Sequence, residues 1–271
     1  MARSARLPRA SGGHRIGMKL VIDTDSGSIE VCEGEAKRAT EAHSAEGFAL
    51  LTRLWLRAGW SLRYSYGFSW LGRPVIQLPE DLVRLQELLY RIRPDVVIET
   101  GVAHGGSVVF SASICRLLGR GRVIGIDREI RPANRRALEA HELAPLFELI
   151  EGSSTDPTVV DRVRAAVRPD ETVVAILDSD HSKDHVRAEL EAFCPLIRGP
   201  GRFVVLDGVM ADLVGAPGAG LDWGWNNPRS AVREFLAAHA DFEIEEPPFG
   251  FQETRVPFRV TYAPDGILRR K

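Results

Sequence analysis

From residue 80 onward, short runs of β-branched and aliphatic residues alternate with longer stretches in which apolar positions return every three or four residues. The runs at 96–99, 122–127, 147–150, 173–178 and 203–207 are dominated by Val, Ile, Leu and Phe, the composition of strands covered on both faces. Helical patterns at 108–118, 134–140, from 157 and at 182–193 lie between them, the alternation that builds βαβ units and a mostly parallel sheet. Asp156-Pro157 marks one helix start, with the aspartate as cap and the proline at the first helical position. A helix at 230–238 and strands near 242–244 and 258–262 complete a seven-stranded sheet with helices on both faces, so residues 80–271 read as one α/β domain.

Ahead of that domain the pattern changes. Phe48, Leu51, Leu54 and Trp55, interleaved with Arg53 and Arg57, have helical spacing and predict an amphipathic helix within 35–60. Such a helix serves as a lid or brace, or as an interface in a homo-oligomer. The stretch 64–74 is aromatic and broken by Gly67, Gly72 and Pro74, which predicts an ordered loop. Residues 21–79 therefore read as an N-terminal helical extension with an aromatic loop. The first 20 residues scatter Arg3, Arg6, Arg9 and Arg15 among small residues and read as a disordered tail, with Met18 as an alternative start.

Composition narrows the class of function. A formal net charge of -2 and a pI near 6.4 supply no basic field for phosphates, so the expected partner is a small molecule and no nucleic acid. No run approaches the ~18 apolar residues that span a bilayer, and no apolar stretch of signal-peptide kind opens the chain, so the expectation is a cytoplasmic protein with no membrane partner. Cys32, Cys115 and Cys194 lie far apart without zinc-ligand or redox-pair spacing and are expected to be buried thiols.

In an open parallel sheet, ligands sit beyond the carboxyl ends of the strands, near the point where strand order reverses. Glu99, Asp127, Asp178 and Asp207 stand at such ends. The first turn, Glu99-Thr100-Gly101-Val102-Ala103-His104-Gly105-Gly106-Ser107, is built of small residues that let backbone approach a ligand at a helix N-terminus. It lacks the Gly-x-Gly-x-x-Gly spacing that seats a pyrophosphate. Glu99 would repel a pyrophosphate but suits a ligand with an ammonium group, such as the methionine part of S-adenosylmethionine; Gly101, Gly105 and Ser107 would shape the turn around it, and Asp178 is counted with them among the cofactor-binding residues. Asp127 is placed to accept both hydroxyls of a ribose, and Ser153 within Gly152-Ser153-Ser154 stands where an adenine ring would meet small hydroxyls.

The densest group of ionisable residues is Asp178-Ser179-Asp180-His181-Ser182-Lys183-Asp184-His185. With an ordinary histidine pKa of about 6.5, His181 suits proton removal from a hydroxyl near neutral pH, while His185 reads as its neighbour on the following helix. In the plainer reading, Asp180 or Ser182 caps that helix and the histidines are solvated. Asp178 and Asp207, on adjacent strand ends, would together hold a hard cation such as Mg²⁺, unless Asp207 simply opens the Gly208 turn.

Six segments carry a resemblance. They are 70–79 (Trp-Leu-Gly-Arg-Pro-Val-Ile-Gln-Leu-Pro), 98–107, Gly125-Ile126-Asp127, 150–154, Leu177-Asp178-Ser179-Asp180-His181 and Asn226-Asn227-Pro228, followed by the closing Ala263-Pro264-Asp265-Gly266. From about Gly67 to the C-terminus the chain resembles the family named after cephalosporin hydroxylase, which includes rhamnosyl and other natural-product O-methyltransferases. The resemblance implies a Rossmann-like class I methyltransferase fold, S-adenosylmethionine as cofactor and often a divalent metal beside it. It further implies that Glu99, Gly101 and Asp127 bind the cofactor, that Asp178 is a metal ligand and that His181 is the general base. One departure stands out: the family commonly ends its fifth strand with Glu-Asp, where this chain has Leu206-Asp207. A leucine cannot ligate Mg²⁺, so the resemblance implies a weakened metal site.

Two functions follow as expectations. One is an O-methyltransferase of secondary metabolism, as in antibiotic biosynthesis, acting on a hydroxyl of a sugar or other polar natural product. The other is a catalytically silent cofactor-binding subunit of another enzyme, motivated by Leu206. A hydroxylase would need Asp178, His181 and His185 as a facial triad, which their origins on a strand end and a following turn disfavour. The aromatic loop and Asp222-Trp223-Gly224-Trp225 are expected to shape the acceptor pocket.

Overall fold

The aliphatic runs fold as the strands of one large sheet in a computed structural model that describes residues 18–251, 253–256 and 258–271. Two compact units share the chain: the residues up to Gly59 with Pro248–Val260, and Trp60–Pro247 with Thr261–Lys271.

The smaller unit holds a three-stranded antiparallel sheet of β1 (Met18–Ile22), β2 (Ser28–Glu33) and β3 (Ala36–Glu41), followed by α1 (Ala45–Ser61), which belongs to it as far as Gly59. Its core is small, with Ile29 and Val31 on β2 facing Leu50 on α1. The sheet corrects the expectation of a helical extension in that strands precede the helix. Only β2 alternates apolar and polar residues clearly, and β3 is exposed along nearly its whole length, so the period-2 signal is confined to a few residues. The helix is shorter than 35–60 because 36–41 is strand, and its buried face is Gly47, Leu50, Thr52 and Leu56 instead of Leu54 and Trp55, which are exposed. Of the expected tail, residues 1–17 lie outside the described residues, while Met18, Lys19 and Leu20 belong to β1.

In the larger unit a short helical turn at Tyr64–Gly67 leads into a hairpin of β4 (Phe68–Trp70) and β5 (Arg73–Val75). The expected aromatic loop is thus folded around Leu71-Gly72, both at positive φ (43° and 81°), the backbone that two-residue hairpin turns require. Then come α2 (Pro79–Ile92), β6 (Val96–Thr100), α3 (Gly106–Leu118), β7 (Arg122–Asp127), α4 (Pro132–Glu139), β8 (Phe147–Glu151), α5 (Pro157–Ala166), β9 (Val173–Leu177), α6 (Lys183–Phe193), β10 (Arg202–Val205), α7 (Pro228–Ala238), β11 (Phe242–Ile244) and β12 (Ile267–Arg270).

Seven strands pair in the order β11-β12-β10-β9-β6-β7-β8, parallel from β10 to β8, with β12 antiparallel to both of its neighbours. Alternate strand residues feed two cores. Val96, Ile98, Ile124, Ala175, Leu177 and Phe203 pack with α5, α6 and α7, whereas Val97, Val123, Val174, Ile176 and Val204 pack with α2 and α3. This is the class I methyltransferase arrangement of helices on both faces of a mostly parallel sheet. As expected, Asp156 caps α5, accepting from the Thr158 N–H at 2.8 Å.

The strand expected at 258–262 is absent. Asp81 takes the Thr261 hydroxyl and, at 2.8 Å, the Tyr262 N–H, so a side chain satisfies backbone that a ladder otherwise would. The last strand comes later, where Arg269 and Arg270 hid it; their guanidinium groups pair with Glu243 and Asp241 at the end of the sheet. Cys115 and Cys194 are buried free thiols, but Cys32 is only half-buried. No helix among the described residues is long and apolar enough to cross a membrane.

Candidate active site

The chain leaves β6 for β7 and β8 on one side and returns to β9 on the other, so strand order reverses between β6 and β9. A cavity of about 620 Å³ opens beyond the carboxyl ends of the strands there. Its wall includes the turn Gly101 to His104, Ser107 on α3, and Asp178, His181 and Asp207 from the ends of β9 and β10.

On the β6 side the turn is held by backbone packing. Gly101 has φ 91°, and a Cβ there would stand 2.1 Å from the Asp178 carbonyl oxygen, so the two strand ends approach only because the side chain is missing. Arg73 from the hairpin donates to the His104 carbonyl at 2.9 and 2.6 Å and clasps the turn from outside. Asp127 accepts the Val102 and Ala103 N–H groups on one oxygen, at 2.8 and 2.9 Å, and the Glu129 N–H on the other at 3.0 Å. Glu99 is fully buried, accepting the Ser107 hydroxyl and, at 3.4 Å, that of Ser111; burial pushes its carboxyl up to about 7 against the pull of those two bonds. The residues singled out from the sequence therefore divide. Gly101, Ser107 and Asp178 line the cavity; Glu99, Gly105, Asp127 and Ser153 do not, Gly105 packing on Leu138 and the Ser153 hydroxyl bonding that of Thr155.

On the β9–β10 side, Asp178, His181 and Asp207 bring one ligand atom each within 4.8 Å of one another. His181 Nε2 lies 3.3 Å from Asp207 Oδ2. Gln77 donates to Asp178 at 2.9 Å. Burial, then Asp207 and Glu99, hold the Asp178 carboxyl well above its ordinary range; burial also raises Asp207, against which His181 pulls downward. Asp207 has turned out of the strand: β10 stops at Val205, Leu206 makes one more ladder bond to Leu177 at 3.1 Å, and Asp207 takes a left-handed φ of 54°. Leu206 is buried in the core shared with α2 and α3.

Both readings of the β9 end hold in part. Asp180 accepts the Ser182 N–H at 2.8 Å in the turn ahead of α6, whose cap residue Ser182 makes no side-chain capping bond, and His181 turns toward Asp207. His185 belongs elsewhere, beside Ser154 at 3.1 Å and the buried Glu189 at 3.4 Å. Gln77, Trp60 and Tyr262 were not foreseen as part of this site. Gln77 lay inside the 70–79 segment, which signalled its presence but no role, and nothing local marked Tyr262 as lining a cavity with residues more than 50 positions away.

Residues 62–271 match the sequence family described as rhamnosyl O-methyltransferase/CmcI. The chain belongs to that family. Among its curated relatives, the rhamnosyl O-methyltransferase of Mycobacterium leprae (strain TN) is 30% identical over 217 residues, 75% of this chain and 83% of that protein. The rhamnosyl O-methyltransferase of Mycobacterium tuberculosis (strain ATCC 25618 / H37Rv) is 36% identical over 129 residues, 47% of this chain, and the match spans about half (51%) of the relative's length. A solved structure of CmcI with Mg and SAM shares the fold at a TM-score of 0.51 and 18% identity, covering 76% of this chain and 77% of that one. The apo-structure of CmcI does so at 0.52 and 19%, with 76% of each chain covered.

Proposed function

We propose that this family member is an S-adenosylmethionine-dependent O-methyltransferase acting on a hydroxyl of a sugar or other polar natural product. The observation that carries the reading is the His181–Asp207 pair, 3.3 Å apart, in the wall of a cavity at the switch point of a methyltransferase sheet. Its relatives are rhamnosyl O-methyltransferases, and one fold neighbour was solved with Mg and SAM.

The cavity volume of about 620 Å³ falls in the range of small-molecule and cofactor sites. When bound, the cofactor supplies an electrophilic methyl group. The Ser107 hydroxyl commits its proton to Glu99 and therefore turns its lone pairs outward, ready to accept from an ammonium group. Glu99 thus acts through Ser107. Asp127 fixes the turn by its backbone bonds and keeps acceptor capacity that would serve ribose hydroxyls, and Ser153 would meet the adenine.

His181 takes the proton of the acceptor hydroxyl, and Asp207 stabilises the imidazolium that forms. Asp178 and Asp207 are two carboxylates held close together in a half-buried setting, a donor set that fits a divalent cation even though Leu206 offers no oxygen. A cation held there would lower the pKa of a nearby hydroxyl and offset the mutual repulsion of the two carboxylates. The intact His181–Asp207 pair weighs against a silent subunit.

Incubation of the purified protein with S-adenosylmethionine and a rhamnoside, followed by mass spectrometry, tests the reading. A methyl-bearing rhamnoside is the expected product. Absence of cofactor binding in a calorimetric titration, with and without Mg²⁺, overturns it.

A further inference from the structure

Tyr262 is 5% exposed and lines the cavity, and its hydroxyl is buried without a hydrogen-bond partner among the described residues. Such groups are uncommon, because a buried hydroxyl left unpaired costs about 1–3 kcal/mol and a buried tyrosine ordinarily finds an acceptor. The residue is not loosely placed. Asp81 accepts its N–H at 2.8 Å, and its carbonyl accepts the Val209 N–H at 3.0 Å. The ring packs edge-on to Trp60, centroids 5.2 Å apart, and Trp60 packs edge-on to Trp223 at 5.6 Å. Both indoles also line the cavity. Burial and the nearby carboxylates of Asp207, Asp81 and Glu80 push the phenol up to about 12, so it stays a hydrogen-bond donor at any working pH.

A rigid donor beside an aromatic wall, with His181 and Asp207 on the same cavity, has the chemistry of a sugar subsite. A pyranose offers C–H-rich faces to indoles and oxygen acceptors to a phenol. We infer that Trp60, Trp223 and Tyr262 form the acceptor subsite, in which the Tyr262 hydroxyl donates to one oxygen of a sugar ring and so sets which hydroxyl meets His181. This assignment rests on the methyltransferase reading for its purpose but not for its binding chemistry.

The test uses p-nitrophenyl α-L-rhamnoside as probe, with binding followed by the intrinsic fluorescence of Trp60 and Trp223 and transfer followed by product mass. Tyr262→Phe removes the hydroxyl and keeps the ring. It is expected to weaken rhamnoside binding about tenfold, the worth of one hydrogen bond, with cofactor affinity unchanged and the melting temperature of the free protein not lowered. In a series of singly deoxygenated rhamnosides, the wild type is expected to lose the same factor for one of them, and Tyr262→Phe to be indifferent to that deletion. Equal binding by the two proteins, or no binding by the wild type, overturns the assignment. Binding weakened by Tyr262→Phe without methyl transfer by either protein leaves the subsite standing and sinks the transferase reading instead.

Discussion

The two walls of the cavity differ in how their polar groups are satisfied. Along the β6–β7 wall, every carboxylate is already served: Glu99 by two serine hydroxyls and Asp127 by three backbone N–H groups. Along the β9–β10 wall, Asp178 has one neutral donor, Asp207 faces an imidazole, and the Tyr262 hydroxyl has no partner among the described residues. The first wall is finished before any ligand arrives, and it shapes a binding surface. The second holds two crowded carboxylates and an idle phenol, groups whose free energy falls when a cation, a proton or a substrate oxygen comes to them. On the proposed reading, the cofactor belongs to the first wall and the acceptor with its chemistry to the second.

The sharpest way to break this division is to remove the proposed base on the second wall. His181→Ala is expected to lower kcat by about 10²–10⁴, the usual worth of a general base, while the calorimetric affinity for S-adenosylmethionine stays within twofold. Comparable losses in both would mean that the second wall also builds the cofactor site.

How legible each wall was in the sequence follows the same line. The strands, their order of appearance and the strand-end residues were readable because a buried parallel sheet needs aliphatic runs with little else in them; β6 and β9 are buried at every residue. His181 and Asp207 were both suspected, but their meeting depends on Asp207 leaving the strand at φ 54°, which no local pattern announces. Asp127 was read as a ribose ligand, whereas its oxygens first hold the Val102–Ala103 turn; a carboxylate that fixes a loop and one that binds a ligand have the same sequence signature. The three N-terminal strands were missed because β1 and β3 bury almost nothing, so they carry no amphipathic period. Tyr262 was invisible for a different reason: a cavity wall gathered from Trp60, the β10–α7 segment and the C-terminal segment has no spacing to read.

The first wall is tested next through its buried acid. Glu99 has an ordinary pKa of 4.5 and sits at about 7 in the folded chain. A raised acid favours the native state fully below 4.5, and this contribution is lost as pH rises through about 7, at a total cost on the order of 3 kcal/mol. Glu99→Gln removes the ionisation. The variant is expected to melt several degrees above wild type at pH 8 and at nearly the same temperature at pH 5, as read by calorimetry. An equal shift at both pH values would assign the effect to packing and leave the buried carboxylate without an electrostatic cost.

The smallest expected effect separates the face of that wall from its interior. Ser107 and Ser111 both donate to Glu99 from α3, one turn apart, but of the two only Ser107 lines the cavity. Their loss should cost Glu99 similar support, since each removes one hydroxyl donor from a buried acid. Only Ser107→Ala takes away lone pairs that a cofactor ammonium can reach, so it is expected to weaken S-adenosylmethionine about tenfold, the worth of one hydrogen bond to a charged group. Ser111→Ala is expected to leave the affinity within twofold, and neither variant should alter kcat at saturating cofactor. If both serines weaken the cofactor alike, Glu99 reaches the ligand through the wall as a whole and not through one hydroxyl. If neither does, the ammonium is held by the β9 end, and the two walls share the binding that the comparison gives to one.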